Sequence, residues 1–274
     1  MKNCRKKRTL FEMLCTAVLL LVTLFIGFSI FTVVSGGLPY LRQAFCSREL
    51  QFSLKLSVYT AGMSTLWCLV LAIPCAYALT YMQLPFKKAI QTLIELPLSL
   101  PNLVLGLCLL MMFSSDLGKA LRGVGFGVVF ERKGIILAQM LVNLPFVIRL
   151  VRTAFLGVDR RLCLIAGTLG ASKWRQFCTI TLPLAKHGLF SAAVLAWARA
   201  LGEFGATLML VGVTRMKTET LPAGIYLHIS TGENGMAMAS AVILLFLSAI
   251  SIAITGWINS CRQTEARGCA NDGA

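Results

Sequence analysis

The chain has 274 residues, of which 57% are hydrophobic and only 14% charged, and its mean hydropathy is +0.78. Soluble domains carry about 25% charged residues, and here the apolar residues fall in long blocks rather than stripes, which excludes a soluble globular fold and points to a polytopic helical membrane protein. The net charge of +15 does not call for nucleic acid as a partner, because Lys and Arg gather in the cytoplasmic loops of membrane proteins for topological reasons.

A basic tail, Lys2 to Arg8, precedes the uncharged run Met13–Val34. That run is longer than a signal-peptide core of about 7–15 residues and ends in Val-Val-Ser-Gly-Gly, so it reads as an uncleaved first helix. The second helix lies within Leu56–Phe86 and contains Pro74. The third lies within Ala89–Phe113 and holds Glu95, Pro97 and Pro101. The fourth starts near Gly134, carries Pro145 and runs into Arg149 and Arg152. The fifth falls between Lys186 and Arg215, and the sixth is Met236–Ile258. Prolines in helices two to four fit a flexible, pathway-lining bundle and equally the higher proline content of membrane helices in general.

Six spans put both termini on one side. With the N-terminus inside, the inner segments hold the tail residues, Lys87 and Lys88, then Arg149, Arg152, Arg160, Arg161, Lys173, Arg175 and Lys186, and finally Arg262 and Arg267. The outer segments hold fewer: Arg42, Arg48, Lys55, Lys119, Arg122, Arg132, Lys133, Arg215 and Lys217. The bias predicts an N-in, C-in topology. The organisation is then a basic cytoplasmic tail (1–10), one transmembrane domain (11–260) and a polar cytoplasmic tail (261–274).

The inner segment DRRLCLIAGTLGASKWRQFCTITLPLAK, Asp159–Lys186, has its own pattern. Leu162, Ile165, Ala166 and Leu169 recur at i, i+3, i+4 and i+7, one face of a short helix. Gly170 ends it, and Ser172 is placed to cap a second short helix reaching about Thr179. Leu182-Pro183 is expected to stop that helix before the fifth span. Periodicity alone leaves an amphipathic loop on the membrane surface as an alternative.

Helix five contains ARALGEFGATLMLV, Ala198–Val211. Between His187 and Thr214 the midpoint falls near Ala200-Leu201, so Arg199 and Glu203 straddle the bilayer centre. An intramembrane charge costs about 2.5–3.5 kcal/mol on insertion scales, and the i, i+4 spacing predicts that the two pair on one face. Gly202 and Gly205 predict a close helix neighbour. The stretch reads either as a polar element facing a pathway, with Thr207, or as a salt bridge pinning the bundle.

The inner loop resembles the EAA loop of ABC importer permeases: Ala166, Gly170, Ile180, Leu182 and Pro183 fall on that family's positions, whereas Leu164-Ile165 stand where it has Glu-Ala. ARALGEFGATLMLVG, with TLPAGIY (Thr220–Tyr226) and the Thr231–Gly235 turn, resembles the molybdate permeases of that group. The resemblance implies an all-α, type I importer permease of six transmembrane helices. Its loop, residues 156–186, would couple to a separate ATP-binding subunit, with Ala166 and Gly170 as small residues packing in that subunit's groove. Lys173, Trp174 and Arg175 are added as exposed docking candidates, Trp174 equally fitting an aromatic at the membrane interface. It further implies a homodimer, two ATP-binding subunits, an extracytoplasmic molybdate-binding protein, and multi-pass residence in the cytoplasmic membrane lipid of a prokaryote. Tungstate or sulfate is the alternative cargo. The segment around Tyr226 and His228 is a candidate outer gate or docking surface, or simply a solvated loop.

No H-E-x-x-H, G-x-S-x-G or G-x-x-x-x-G-K-[ST] occurs, and Gly123-Val-Gly-Phe-Gly127 lacks dinucleotide spacing, so no catalytic residue, cofactor or ATPase site is expected. The ten cysteines form no C-x-x-C pair, and no metal site is expected. A self-sufficient channel or secondary transporter would leave the EAA-like loop without a purpose.

Overall fold

A computed structural model describes residues 10–271 and, among them, the side chains of 11–116 and 118–257. The basic tail and residues 272–274 lie outside the described residues, as do the side chains of Arg262 and Arg267. All regular structure in the described residues is helical: α1 Leu10–Gly37, α2 Leu41–Cys46, α3 Arg48–Tyr81, α4 Lys87–Glu95, α5 Asn102–Ser114, α6 Asp116–Gly123 and α7 Arg132–Leu156. They are followed by α8 Arg160–Thr168, α9 Lys173–Gln176, α10 Leu182–Leu201, α11 Gly205–Val211, α12 Leu221–Ser230 and α13 Asn234–Asn271.

Five helical stretches are long and apolar enough to cross a membrane, and a bent pair makes six. The bent pair is the expected third helix. Its two halves, Lys87–Leu98 and Asn102–Ser114, meet at 106°. Pro97 and Pro101 explain the break: neither has an N–H to give the helix ladder, and each ring would clash with the carbonyl four residues back in a continued α-helix. Pro101 itself is extended, with ψ 137°, and begins α5. Glu95 at the end of α4 meets Arg149 near the end of α7 (2.8 Å), whereas Gly134 at the start of α7 lies against Val128 in the segment after α6. The bent pair therefore travels from one end of α7 to the other and counts as one span.

Other boundaries move for local reasons. The second span starts earlier than expected because Ser47 caps it, its Oγ accepting the Leu50 N–H at 3.2 Å. The backbone of α13 continues to Asn271, through residues expected to form a polar tail. Leu182-Pro183 does not stop a helix. The chain stays helical from Lys173 to Leu201, passing through a π turn at Phe177–Thr181, and Pro183 falls in the first turn of α10, where a missing N–H is tolerated.

The centre is α7, more than half of whose most apolar stretch is buried inside the chain, against none of that of α1. Alanines make the approach close: Ala72 and Ala76 of α3 and Ala192 and Ala196 of α10 pack around Val147, Val151 and Phe155 of α7. A second cluster joins Leu105 and Leu109 of α5, Ile135 and Ala138 of α7, and Ala206 and Leu210 of α11.

Candidate functional site

Helix five is broken where its charges lie. Leu201 is the last residue of α10, Gly202-Glu203-Phe204 leave the helix, and α11 starts at Gly205. The Arg199–Glu203 pair expected from i, i+4 spacing therefore does not form among the described residues: the spacing holds only in a continuous helix. Arg199 is exposed, and its guanidinium carbon lies 5.0 Å above the Phe146 ring of α7, a cation–π contact. Glu203 is buried. One carboxylate oxygen accepts the Ala206 N–H in the first turn of α11 (2.8 Å), and the other accepts Nδ2 of Asn102 (2.8 Å). Asn102 follows Pro101, so the breaks of spans three and five meet through one hydrogen bond.

The glycines differ. A Cβ on Gly205 would lie 3.2 Å from the Asn102 Cβ, so close approach there is real. On Gly202 it would meet nothing nearer than 3.8 Å, and the expected close neighbour is missing. The tightest contact in this region involves a residue that sequence reasoning passed over: a Cβ on Gly106 would sit 2.6 Å from the Ala206 carbonyl oxygen and 2.8 Å from the Met209 Cβ. The hydroxyl of Thr207, buried, donates to the Phe204 carbonyl (2.8 Å) and is committed locally.

Two further polar residues were missed. Gln139 and Asn143, at i, i+4 on α7, are buried and donate to the Ala200 carbonyl (3.0 Å) and the Ala196 carbonyl (3.5 Å) of α10. Their spacing inside an apolar run was the available signal. Each side-chain amide thus reaches the backbone of the helix that ends at the break.

At the far end of the same span, the inner loop forms an elbow. Asp159 caps α8, its carboxylate accepting the Arg161 N–H (2.9 Å). α8 ends in a Schellman motif: Gly170, at φ +81°, gives its N–H to the Gly167 carbonyl (3.1 Å), and Ala171 to that of Ala166 (2.9 Å). Ser172 then caps α9 by accepting the Arg175 N–H (3.3 Å). Gly170 has open space around it, so within this chain it is required by its left-handed backbone rather than by packing. Leu162, Leu164, Ile165 and Leu169 are exposed, as are Lys173, Trp174 and Arg175, and Ala166 is half-buried. The elbow is anchored to α3, where Arg160 donates to the Thr80 carbonyl (3.1 Å) and its guanidinium carbon lies 5.7 Å over Tyr81.

On the opposite side, TLPAGIY forms the start of α12. Tyr226 packs on Phe204, at the break of span five, with ring centroids 5.5 Å apart. His228 is not a solvated loop residue: it is buried, with Nδ1 2.7 Å from the Glu233 carboxylate.

The family described as binding-protein-dependent transport system inner membrane component matches residues 68–261. A molybdenum transport system permease protein of Haemophilus influenzae is 38% identical over 219 residues, 78% of this chain and 95% of that one. Its Escherichia coli K12 counterpart is 37% identical, covering 77% and 94%. A molybdate/tungstate transport system permease protein of Pyrococcus furiosus is 35% identical over 68% of this chain and 76% of its own length. Among solved structures, a chain of a bacterial alginate ABC transporter superposes with TM-score 0.72 at 17% identity, covering 92% of both chains. One of a methionine ABC transporter gives 0.59 at 16% identity. These last two establish the shared fold.

Proposed function

Because the chain belongs to the family of inner membrane components of binding-protein-dependent transport systems, as a permease whose ATPase activity lies in a separate subunit, we propose that it forms the path by which molybdate crosses the membrane. The observation that carries the anion is the match to molybdenum permeases over 94–95% of their own length. Tungstate belongs to the same reading, being a tetrahedral dianion of nearly equal size, and one relative is named for both.

Two copies of the chain, two ATP-binding subunits and an extracytoplasmic molybdate-binding protein complete the assembly. The elbow is the surface offered to the ATP-binding subunit. Four large apolar side chains facing water on α8 and its end have no reason to be exposed in a finished complex. Arg175 extends that surface, as do the exposed sides of Lys173 and Trp174, whose other sides line clefts against α3, while Leu182 and Pro183 carry its movement into α10 without an interruption of the helix.

Arg199 and Glu203 have separate roles. Arg199, exposed beside the break, is the cation that a dianion meets, and its Phe146 contact holds it without neutralising it. Glu203 is a latch inside the subunit, tying α11 to the start of α5. Gly202 leaves the path open beside Arg199, whereas Gly205 and Thr207 serve the packing and local bonding of α11. Selectivity rests mainly with the binding protein, and the permease holds the anion weakly enough to release it.

Uptake of labelled molybdate, tungstate and sulfate into vesicles carrying the chain with its ATP-binding subunit and binding protein tests this reading. Molybdate and tungstate are expected to enter with ATP hydrolysis. Sulfate uptake without molybdate uptake would overturn the anion, and uptake by the lone chain would overturn the dependence on partners.

A further inference from the structure

Two clefts adjoin where the elbow meets the end of α3. One, of about 570 Å³, is lined by Arg160, Lys173, Tyr77, Tyr81 and Gln176 among others, and holds no carboxylate. The second, of about 550 Å³, is apolar, lined by Ile73, Pro74, Trp174 and Phe177. They share Tyr77, Met82 and Lys173 as walls, so they lie side by side. Both sit where two candidate spans end, Arg48–Tyr81 and Lys173–Leu201, which is the depth of lipid headgroups.

We propose that the two clefts form one binding site for an anionic phospholipid, with its phosphodiester between Arg160 and Lys173 and an acyl chain along Ile73, Pro74 and Trp174. Charge complementarity selects the head: two cations line a cleft without an acidic residue, and basic pockets between helices on one side of a membrane hold such headgroups. The apolar cleft selects the tail. It offers almost nothing to a free oxyanion. The aromatic walls already pack on one another: Phe177 meets Tyr77 edge-on at 5.1 Å and Trp174 at a tilt at 5.8 Å. A lipid here would brace α9 against α3, stiffening the joint through which the elbow moves α10. The proposal depends on the chain spanning a membrane and not on which solute it carries.

The test uses the whole transporter, with its ATP-binding subunit, in phosphatidylcholine vesicles containing a minor fraction of phosphatidylglycerol with brominated chains. Trp174 emission is isolated as the difference from the W174F protein. Brominated phosphatidylglycerol is expected to quench Trp174 more than brominated phosphatidylcholine at equal mole fraction. Each cation near a headgroup is worth about a fivefold change in affinity, so R160Q/K173Q should weaken the affinity read by titrating that quenching against lipid fraction about thirty-fold. K173Q alone keeps the Arg160–Thr80 bond, and with it the fold of the elbow, and should weaken it about fivefold. Added inorganic phosphate should not relieve the quenching. Equal quenching by both lipids, quenching by phosphatidylglycerol that both variants leave unchanged, or no quenching of Trp174 at all because protein covers the cleft would each overturn the proposal.

Discussion

At the elbow, Leu164 and Leu169 stand 69% and 83% exposed, while at the other end of the span that the elbow feeds, Glu203 is 4% exposed and holds two hydrogen-bond donors. Apolar groups face water at one place, and a carboxylate is buried at the other. Burial without partners would be costly for Glu203, but Asn102 and the Ala206 amide satisfy it inside the subunit. The exposed leucines have no such settlement within the chain; on the proposed function theirs would come from the ATP-binding subunit. Glu203 then contributes when the chain folds and the leucines when it assembles, so substitutions at the two places should be read out differently.

The largest effect is expected at the crossing that supports the break. In Gly106→Val, the new Cβ collides with the Ala206 backbone, which cannot rotate away as a side chain would. Overpacking of this kind costs about 3 kcal/mol. A large drop in the thermal midpoint of the purified chain, with loss of uptake, is the expected result; an unchanged midpoint would mean that α5 and α11 do not cross there. Glu203→Leu comes next. It strands the Asn102 amide and the Ala206 N–H, at about 1–3 kcal/mol, so the midpoint should fall while Asn102→Ala in the same protein adds little. A full additional loss from the second substitution would show that Asn102 and Glu203 do not act as a pair.

At the elbow the readout changes. Gly170→Val forces a β-branched residue to φ +81°, a local strain of about 1–2 kcal/mol, and opens the Schellman turn. Membrane insertion and the midpoint of the lone chain should change little, whereas co-purification with the ATP-binding subunit and uptake should be lost. Ile165→Ser and Leu169→Ser should weaken association in the same way without touching the backbone. If these variants bind the ATP-binding subunit normally, the exposed apolar residues belong to some other contact.

How far the residues announced all this depends on which physical interaction decides each feature. The six apolar runs follow from composition, and the elbow from local chemistry: Asp159, Gly170 and Ser172 each act within a few residues, and each forms the cap or turn its type suggests. The break in span five was hidden although its residues were conspicuous. Reading Arg199 and Glu203 as an i, i+4 pair assumed the helix continuity that Gly202-Glu203-Phe204 removes. What replaces the pair comes from residues far away in the chain, Phe146 and Asn102, and no local spacing encodes them. Span three is the converse case: Pro97 and Pro101 were visible, but a kink and a 106° bend look alike until packing against α7 decides between them.

The smallest expected effect gives the finest cut, because it concerns two glycines three residues apart in one motif. Gly205→Ala presses a methyl to 3.2 Å from the Asn102 Cβ and 3.3 Å from the Leu103 nitrogen, so the start of α5 must yield. Gly202→Ala meets open space at φ −85°, a dihedral that alanine adopts freely. The first should lower the midpoint measurably, and the second should leave it within about 0.5 kcal/mol. Gly202 is nonetheless exposed beside Arg199, so if that side of the break lines the path, Gly202→Ala should reduce molybdate uptake in a protein of normal stability. Larger residues at 202 should deepen that loss in proportion to their volume. Uptake indifferent to the size of residue 202 would place the path elsewhere and leave Arg199 a purely structural contact of Phe146.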